Sequence, residues 1–184
     1  MAIHPPENPL WWNERIERGE LVWIGIALVW GVIMFSMMVW WHIEGGQNLS
    51  TEAYRISPDV FEQRTEEFTE KFTVREDGKT GYPVAKPPAG GDVYMLARLW
   101  EWWPVLELEK GQTYRLHLSS LDWQHGFSLQ PININLQVHP GIEHVVTLTP
   151  TQTGVFGVVC NEFCGLGHHQ MVGRIHVVES GKGQ

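Results

Sequence analysis

Hydrophobic and polar positions divide the chain into three regimes. Residues 21–41, LVWIGIALVWGVIMFSMMVWW, run without a charge. At ~1.5 Å per residue this stretch reaches ~30 Å, the hydrocarbon thickness of a bilayer, so a transmembrane helix is predicted there. A signal peptide would need a shorter apolar core, a basic start and a small-residue cleavage site, and none is present. Trp40 and Trp41 suit one interfacial belt and Trp11 and Trp12 the other. In residues 1–20, Asn8-Pro9 ahead of Leu10-Trp11-Trp12 predicts a short interfacial helix leading into the span.

After the span, Gly45-Gly46 end the helix and a connector is expected over 42–91. Within it, Ser57-Pro58-Asp59 reads as a helix start, and Phe61, Phe68 and Phe72 fall near one face among glutamates. That helix is expected to pack on a neighbouring surface. Residues 75–92 are turn-rich, with Asp77-Gly78, Pro83, Pro87-Pro88 and Gly90-Gly91, which puts a domain boundary near Gly91. From there the period changes to two. Runs at 93–99, 105–109, 113–119, 132–138, 144–148, 154–160 and 174–178 are short, rich in β formers and bounded by Gly, Pro and Asn. Residues 92–184 are therefore predicted to be mainly β, a Greek-key sandwich or barrel of seven or eight strands.

Charge narrows the function. A net charge of -8 excludes a nucleic-acid binder, which needs basic patches. It suits either solubility alone or the steering of a positively charged partner. Arg15 and Arg18 precede the span, and no Lys or Arg lies between Trp41 and Arg55. The positive-inside rule then places the N-terminus in the cytoplasm and the β domain outside, although Glu14, Glu17 and Glu20 accompany the arginines.

The chemistry is concentrated in residues 160–171, CNEFCGLGHHQM, which hold both cysteines of the chain. Thiolate, imidazole and thioether form a soft ligand set that suits copper, whereas calcium or magnesium would call for oxygens. A mononuclear blue-copper site uses one Cys. Two allow both sulfurs to bridge a pair of copper ions, with one His for each metal and Met171 as a weak axial ligand, and this requires a further, upstream His. Competing readings are a disulfide, which leaves the trailing His and Met unexplained; a zinc site, which gives Met171 no role; and a buried thiol pair, which does not explain Gly165-Leu166-Gly167.

The string Cys-x-Glu-x-Cys-x3-His-x2-Met resembles the loop of the dinuclear copper centre, CuA, in subunit II of haem-copper oxidases, a centre that also occurs in nitrous oxide reductase. The resemblance implies a cupredoxin fold with Cys160 and Cys164 as bridging thiolates, His168 as a terminal imidazole, Met171 as the axial thioether and Glu162 acting through its main-chain carbonyl. His169 does not fit the spacing. Ser120-x-Asp122-x-x-His125-x-Phe127 resembles the family's segment for its first ligand, which makes His125 the missing imidazole. His117, His144 and His176 alternate with apolar neighbours and are expected to face solvent.

One span, in place of a hairpin of two, looks like the B-type branch, as do Asn133-Ile134-Asn135 and Pro140-Gly141. Residues 94–104, YMLARLWEWWP, lie where that family carries an aromatic motif for electron entry, so Trp100 is the first candidate, followed by Trp102 and Trp103. Arg98 departs from the pattern, standing where an aromatic is expected. In A-type relatives the side chain at Glu162 reaches a magnesium ion, which the resemblance admits here as well.

The implied function is electron transfer from cytochrome c, or a small copper protein, to haem in an integral membrane subunit I that reduces oxygen. No cytochrome c domain is expected on this chain, so the donor is separate. The implied setting is a bacterial or archaeal plasma membrane with the copper domain on the periplasmic or extracellular side. The rivals are the CuA subunit of a nitric oxide reductase of the same superfamily and, from a different class, a membrane-tethered copper carrier with a labile site.

Overall fold

The computed structural model describes residues 15–45, 51–132 and 134–181. The interfacial helix expected around Leu10-Trp11-Trp12 and the position of Asn133 lie outside the described residues. The chain forms two compact units, residues 1–47 and 48–184.

In the first unit, α1 runs Arg18–Glu44, and the Glu17 amide at its start donates to the Glu20 carboxylate at 2.9 Å. Its apolar residues lie on every side, with none buried in protein. A helix apolar all round needs an apolar surrounding. α1 is long and apolar enough to cross a membrane.

The second unit consists of two sheets. The first has the order β1 (Thr51–Arg55), β10 (Ile142–Leu148), β7 (Tyr114–Ser120), β4 (Asp92–Arg98) and β5 (Glu101–Trp103). The second has the order β2 (Thr73–Glu76), β3 (Pro83–Ala85), β6 (Val105–Glu109), β12 (Val172–Val178), β11 (Gly154–Cys160), β8 (His125–Gln130) and β9 (Ile134–Val138). Pairings are antiparallel except β4 with β7, β6 with β12 and β3 with β6. Alternation along the strands turns Val93, Met95 and Ala97 inward to meet Leu116, Leu118, Phe127, Val158 and Ile175 in one core. The result is the mainly β, cupredoxin-like sandwich.

Residues expected as a connector take part in it. β1 adds antiparallel to β10, and β2 and β3 form a hairpin whose second strand lies parallel to β6. Between them α2 (Pro58–Phe72) packs on β3, β4 and β7 and buries Phe61, Thr65, Phe68 and Thr69. Phe61 and Phe68 meet Tyr94, which in turn stacks on His117 at 4.6 Å.

That helix overturns the expected exposure of His117. Its ring is buried under α2, with Nδ1 2.6 Å from the Glu143 carboxylate and Nε2 3.2 Å from Asp92. Flanking carboxylates satisfy both nitrogens, which is what a buried imidazole requires. His144 and His176 are half-buried, and His176 reaches Asp77 at 3.3 Å.

Candidate metal centre

Two neighbouring strands of the second sheet bring the soft ligands together. β8 begins at His125 and β11 ends at Cys160, and their antiparallel register sets Cys160 opposite Phe127. Residues 161–171 leave β11 and return directly into β12, which pairs with it. The Cys160 amide donates to the Met171 carbonyl at 3.1 Å and closes the loop at its base. The Asn161 amide donates to the Gly126 carbonyl at 3.2 Å, tying the loop to β8. Gly126 allows that approach: a Cβ there would stand 2.8 Å from the Glu162 amide nitrogen. A short 3-10 helix, His168–Gln170, follows Gly165, whose φ of +111° suits only glycine.

This path converges the side chains. The Sγ atoms of Cys160 and Cys164 are 3.7 Å apart and not bonded. His125 Nδ1 lies 3.9 Å from Cys160 Sγ, His168 Nδ1 lies 3.6 Å from Cys164 Sγ, and Met171 Sδ lies 3.7 Å from Cys164 Sγ. The Glu162 carbonyl oxygen is 3.2 Å from Cys160 Sγ, while its carboxylate turns away to accept from Gln137 Nε2 at 3.1 Å. The candidate ligand atoms of His125, Cys160 and Cys164 all fall within 4.8 Å of one another. His125 and Met171 are fully buried, His168 is half-buried and His169 is exposed. The sulfur separation exceeds a disulfide's by far. Two thiols, two imidazoles and a thioether around one small space fit copper.

Burial first, and then the neighbouring Cys160 through its hydrogen bond and charge, together push the Cys164 thiol up to about 12. The free thiol therefore holds its proton near neutrality until a cation displaces it.

The three tryptophans have different environments. Trp100, 40% exposed, donates its indole N–H to the Cys164 carbonyl at 3.2 Å and lies against Gly165 and Gly167. Trp102 is buried, edge-on to His125 at 6.2 Å and to Phe127 at 5.5 Å. Trp103 lies under the Arg98 guanidinium at 5.3 Å, and Arg98 is also held by Glu101. Arg98 thus anchors the β4–β5 hairpin through charge and stacking.

The sequence named Asp122 only as part of a pattern; its role comes from the structure. It accepts from His125 Nε2 at 2.8 Å and from the Leu99 amide at 2.7 Å. The readable sign is the three-residue spacing to His125, the candidate ligand.

The family model described as cytochrome C oxidase subunit II, periplasmic domain, matches residues 98–179. Cytochrome c oxidase subunit 2 of Thermus thermophilus is 36% identical over 112 residues, covering 58% of this chain and 83% of that protein. Alternative cytochrome c oxidase subunit 2 of Bradyrhizobium diazoefficiens is 32% identical over 72 residues, covering 39% of this chain and 26% of that one. Among solved structures, a chain from a cryo-EM structure of a haem-copper terminal oxidase dimer superposes with a TM-score of 0.55. It is 24% identical and covers 88% of this chain and 100% of its own.

Proposed function

The chain belongs to the cytochrome c oxidase subunit II family, and on that premise we propose that it is the electron-entry subunit of a membrane terminal oxidase. It takes electrons from cytochrome c at a dinuclear copper centre and delivers them to haem in subunit I. The residues that hold the centre are His125, Cys160, Cys164, His168 and Met171, with the Glu162 carbonyl beside them. Carrying this reading is the convergence of two thiols, two imidazole nitrogens and a thioether within hydrogen-bond-scale distances at one end of a rigid sandwich.

His125, Cys160, Cys164, His168 and Met171 would hold the copper pair, which when bound would supply one-electron redox chemistry. The chain's own residues make that exchange inexpensive in motion. Cys160 and Met171 sit at the closed base of the loop, so the ligands at its ends are held by strand pairing. His125 is fixed on a strand rather than a flexible loop. Trp102, Phe127 and Met171 keep water from the buried side, while His168 and Trp100 lie toward the surface. Trp100 offers an aromatic ring hydrogen-bonded to the main chain of a ligand, a short path from a docked donor.

In this reading α1 anchors the chain, and the copper domain stands on the periplasmic or extracellular side of a bacterial or archaeal plasma membrane.

Copper stoichiometry and electron paramagnetic resonance of the full chain in detergent test the centre. Two coppers per chain with an unpaired electron shared between two nuclei is the expected result. One copper per chain overturns the dinuclear assignment. Gas consumption by the intact complex with reduced cytochrome c tests the acceptor: oxygen turnover is expected, and nitric oxide turnover with slow oxygen reduction overturns the oxidase reading.

A further inference from the structure

One carboxylate touches both halves of this site. Asp122 Oδ1 accepts from His125 Nε2 at 2.8 Å and from the Trp123 amide at 2.6 Å, and Oδ2 accepts from the Leu99 amide at 2.7 Å. Ser120 supports the same turn: its Oγ accepts from the Asp122 amide at 3.3 Å and lies 3.5 Å from Oδ1.

The two principal bonds have different consequences. A carboxylate only accepts, so the bond to Nε2 requires a proton on that nitrogen, and in the neutral imidazole, the form that binds metals, this leaves the lone pair on Nδ1. Nδ1 is the nitrogen that faces Cys160 Sγ. Leu99, for its part, immediately precedes Trp100, whose indole reaches the Cys164 carbonyl. Holding the Leu99 amide fixes the backbone from which that indole extends.

We propose that Asp122 is a positioning residue for electron entry, clamping the ligand histidine with one oxygen and the base of the Trp100 turn with the other. The separation between the entry tryptophan and the His125 side of the centre is thereby set by a single side chain. This rests on the electron-entry function proposed above. Partners outside the ligand set typically alter affinity or activity by about 10- to 100-fold when removed.

Two substitutions separate the halves of the clamp. Asp122→Asn keeps one acceptor, which can stay on His125 and Trp123, but turns an NH2 toward the Leu99 N–H, setting two donors against each other. Asp122→Ala removes both acceptors. The full chain in detergent is measured in three ways: 15N spectra of the histidine rings without metal, the resonance spectrum with copper, and stopped-flow electron uptake from reduced cytochrome c. Circular dichroism checks the fold of each variant.

Asp122→Asn is expected to keep the His125 Nε2–H form and a near-native copper spectrum while electron uptake slows about tenfold. Asp122→Ala is expected to lose the fixed tautomer, alter the copper spectrum and slow uptake further. A folded Asp122→Asn with wild-type uptake overturns the link to Trp100. An unchanged tautomer in folded Asp122→Ala overturns the hold on His125. Failure of the wild-type chain to take up two coppers or to accept electrons would instead sink the function on which the inference rests.

Discussion

The indole nitrogen of Trp100 and the carbonyl oxygen of Cys164 are joined by a hydrogen bond of 3.2 Å, across 64 residues of sequence. A partly exposed aromatic ring is thus attached to the main chain of a proposed metal ligand. Replacing Trp100 by Phe keeps an aromatic face and deletes the bond. Stopped-flow mixing with reduced cytochrome c should then show electron uptake slowed about tenfold, roughly 1.4 kcal/mol in barrier, with the copper spectrum nearly unchanged. Wild-type uptake would remove Trp100 from the entry path.

Gly167 makes room for that ring. A Cβ there would lie 2.7 Å from Trp100 Cγ, so Gly167→Ala must push the indole off the loop. The expected cost is about 1–3 kcal/mol of stability, as for other overpacked contacts. Thermal unfolding and the tryptophan emission spectrum should move together. A change in neither would show that the loop yields instead.

Copper binding should depend on pH through Cys164. Burial, with Cys160 beside it, raises this thiol to about 12, so at neutral pH the metal must expel its proton. Affinity should rise with pH by about tenfold per unit for each proton displaced. Titration of the full chain at two pH values in the presence of a competing chelator measures the slope. A flat profile would mean that the thiol is already ionised.

Acid sensitivity should centre on Asp77. Burial raises its pKa, but the Thr80 hydroxyl, the Thr80 and Lys79 amides and Arg174 together hold it at about 2, below the ordinary 3.8. A group lowered in the folded state adds stability that is full above the unfolded value and lost as pH falls through the folded one. The window therefore runs from about pH 4 down to about pH 2. For a side chain this buried, a lowering from 3.8 to about 2 corresponds to about 2 kcal/mol. Asp77→Asn should flatten denaturation curves across that window; an unchanged slope would exclude this carboxylate.

The ligand loop was legible because its chemistry is local: Cys160, Cys164, His168 and Met171 fall within one turn of chain, and their types alone pointed to a soft metal. His125 was legible through its motif, but the strand it begins was not. Residues 125–130 have five buried positions in a row, so no alternation marks them as a strand. β1, β2 and β3 escaped for the opposite reason. They are three to five residues long, mostly polar or opened by proline, and acquire strand character only from pairing, β1 with β10, β3 with β6 and β2 with β3. His117 read as a solvent position because nothing local shows that Glu143, Asp92 and α2 will close over it. Tertiary partners decide such cases.

β11 lies inside its sheet, with β12 on one side and β8 on the other, and the edges are β2 and β9. Because the loop that carries the proposed ligands hangs from β11 and β12, fraying at either margin leaves those positions intact. Interior strands open only in the highest-energy, most global excursions of a domain. Escape of a metal through separation of the loop's two ends is therefore timed by unfolding of the sandwich itself, and the lifetime of the loaded centre becomes a measure of the domain's kinetic stability.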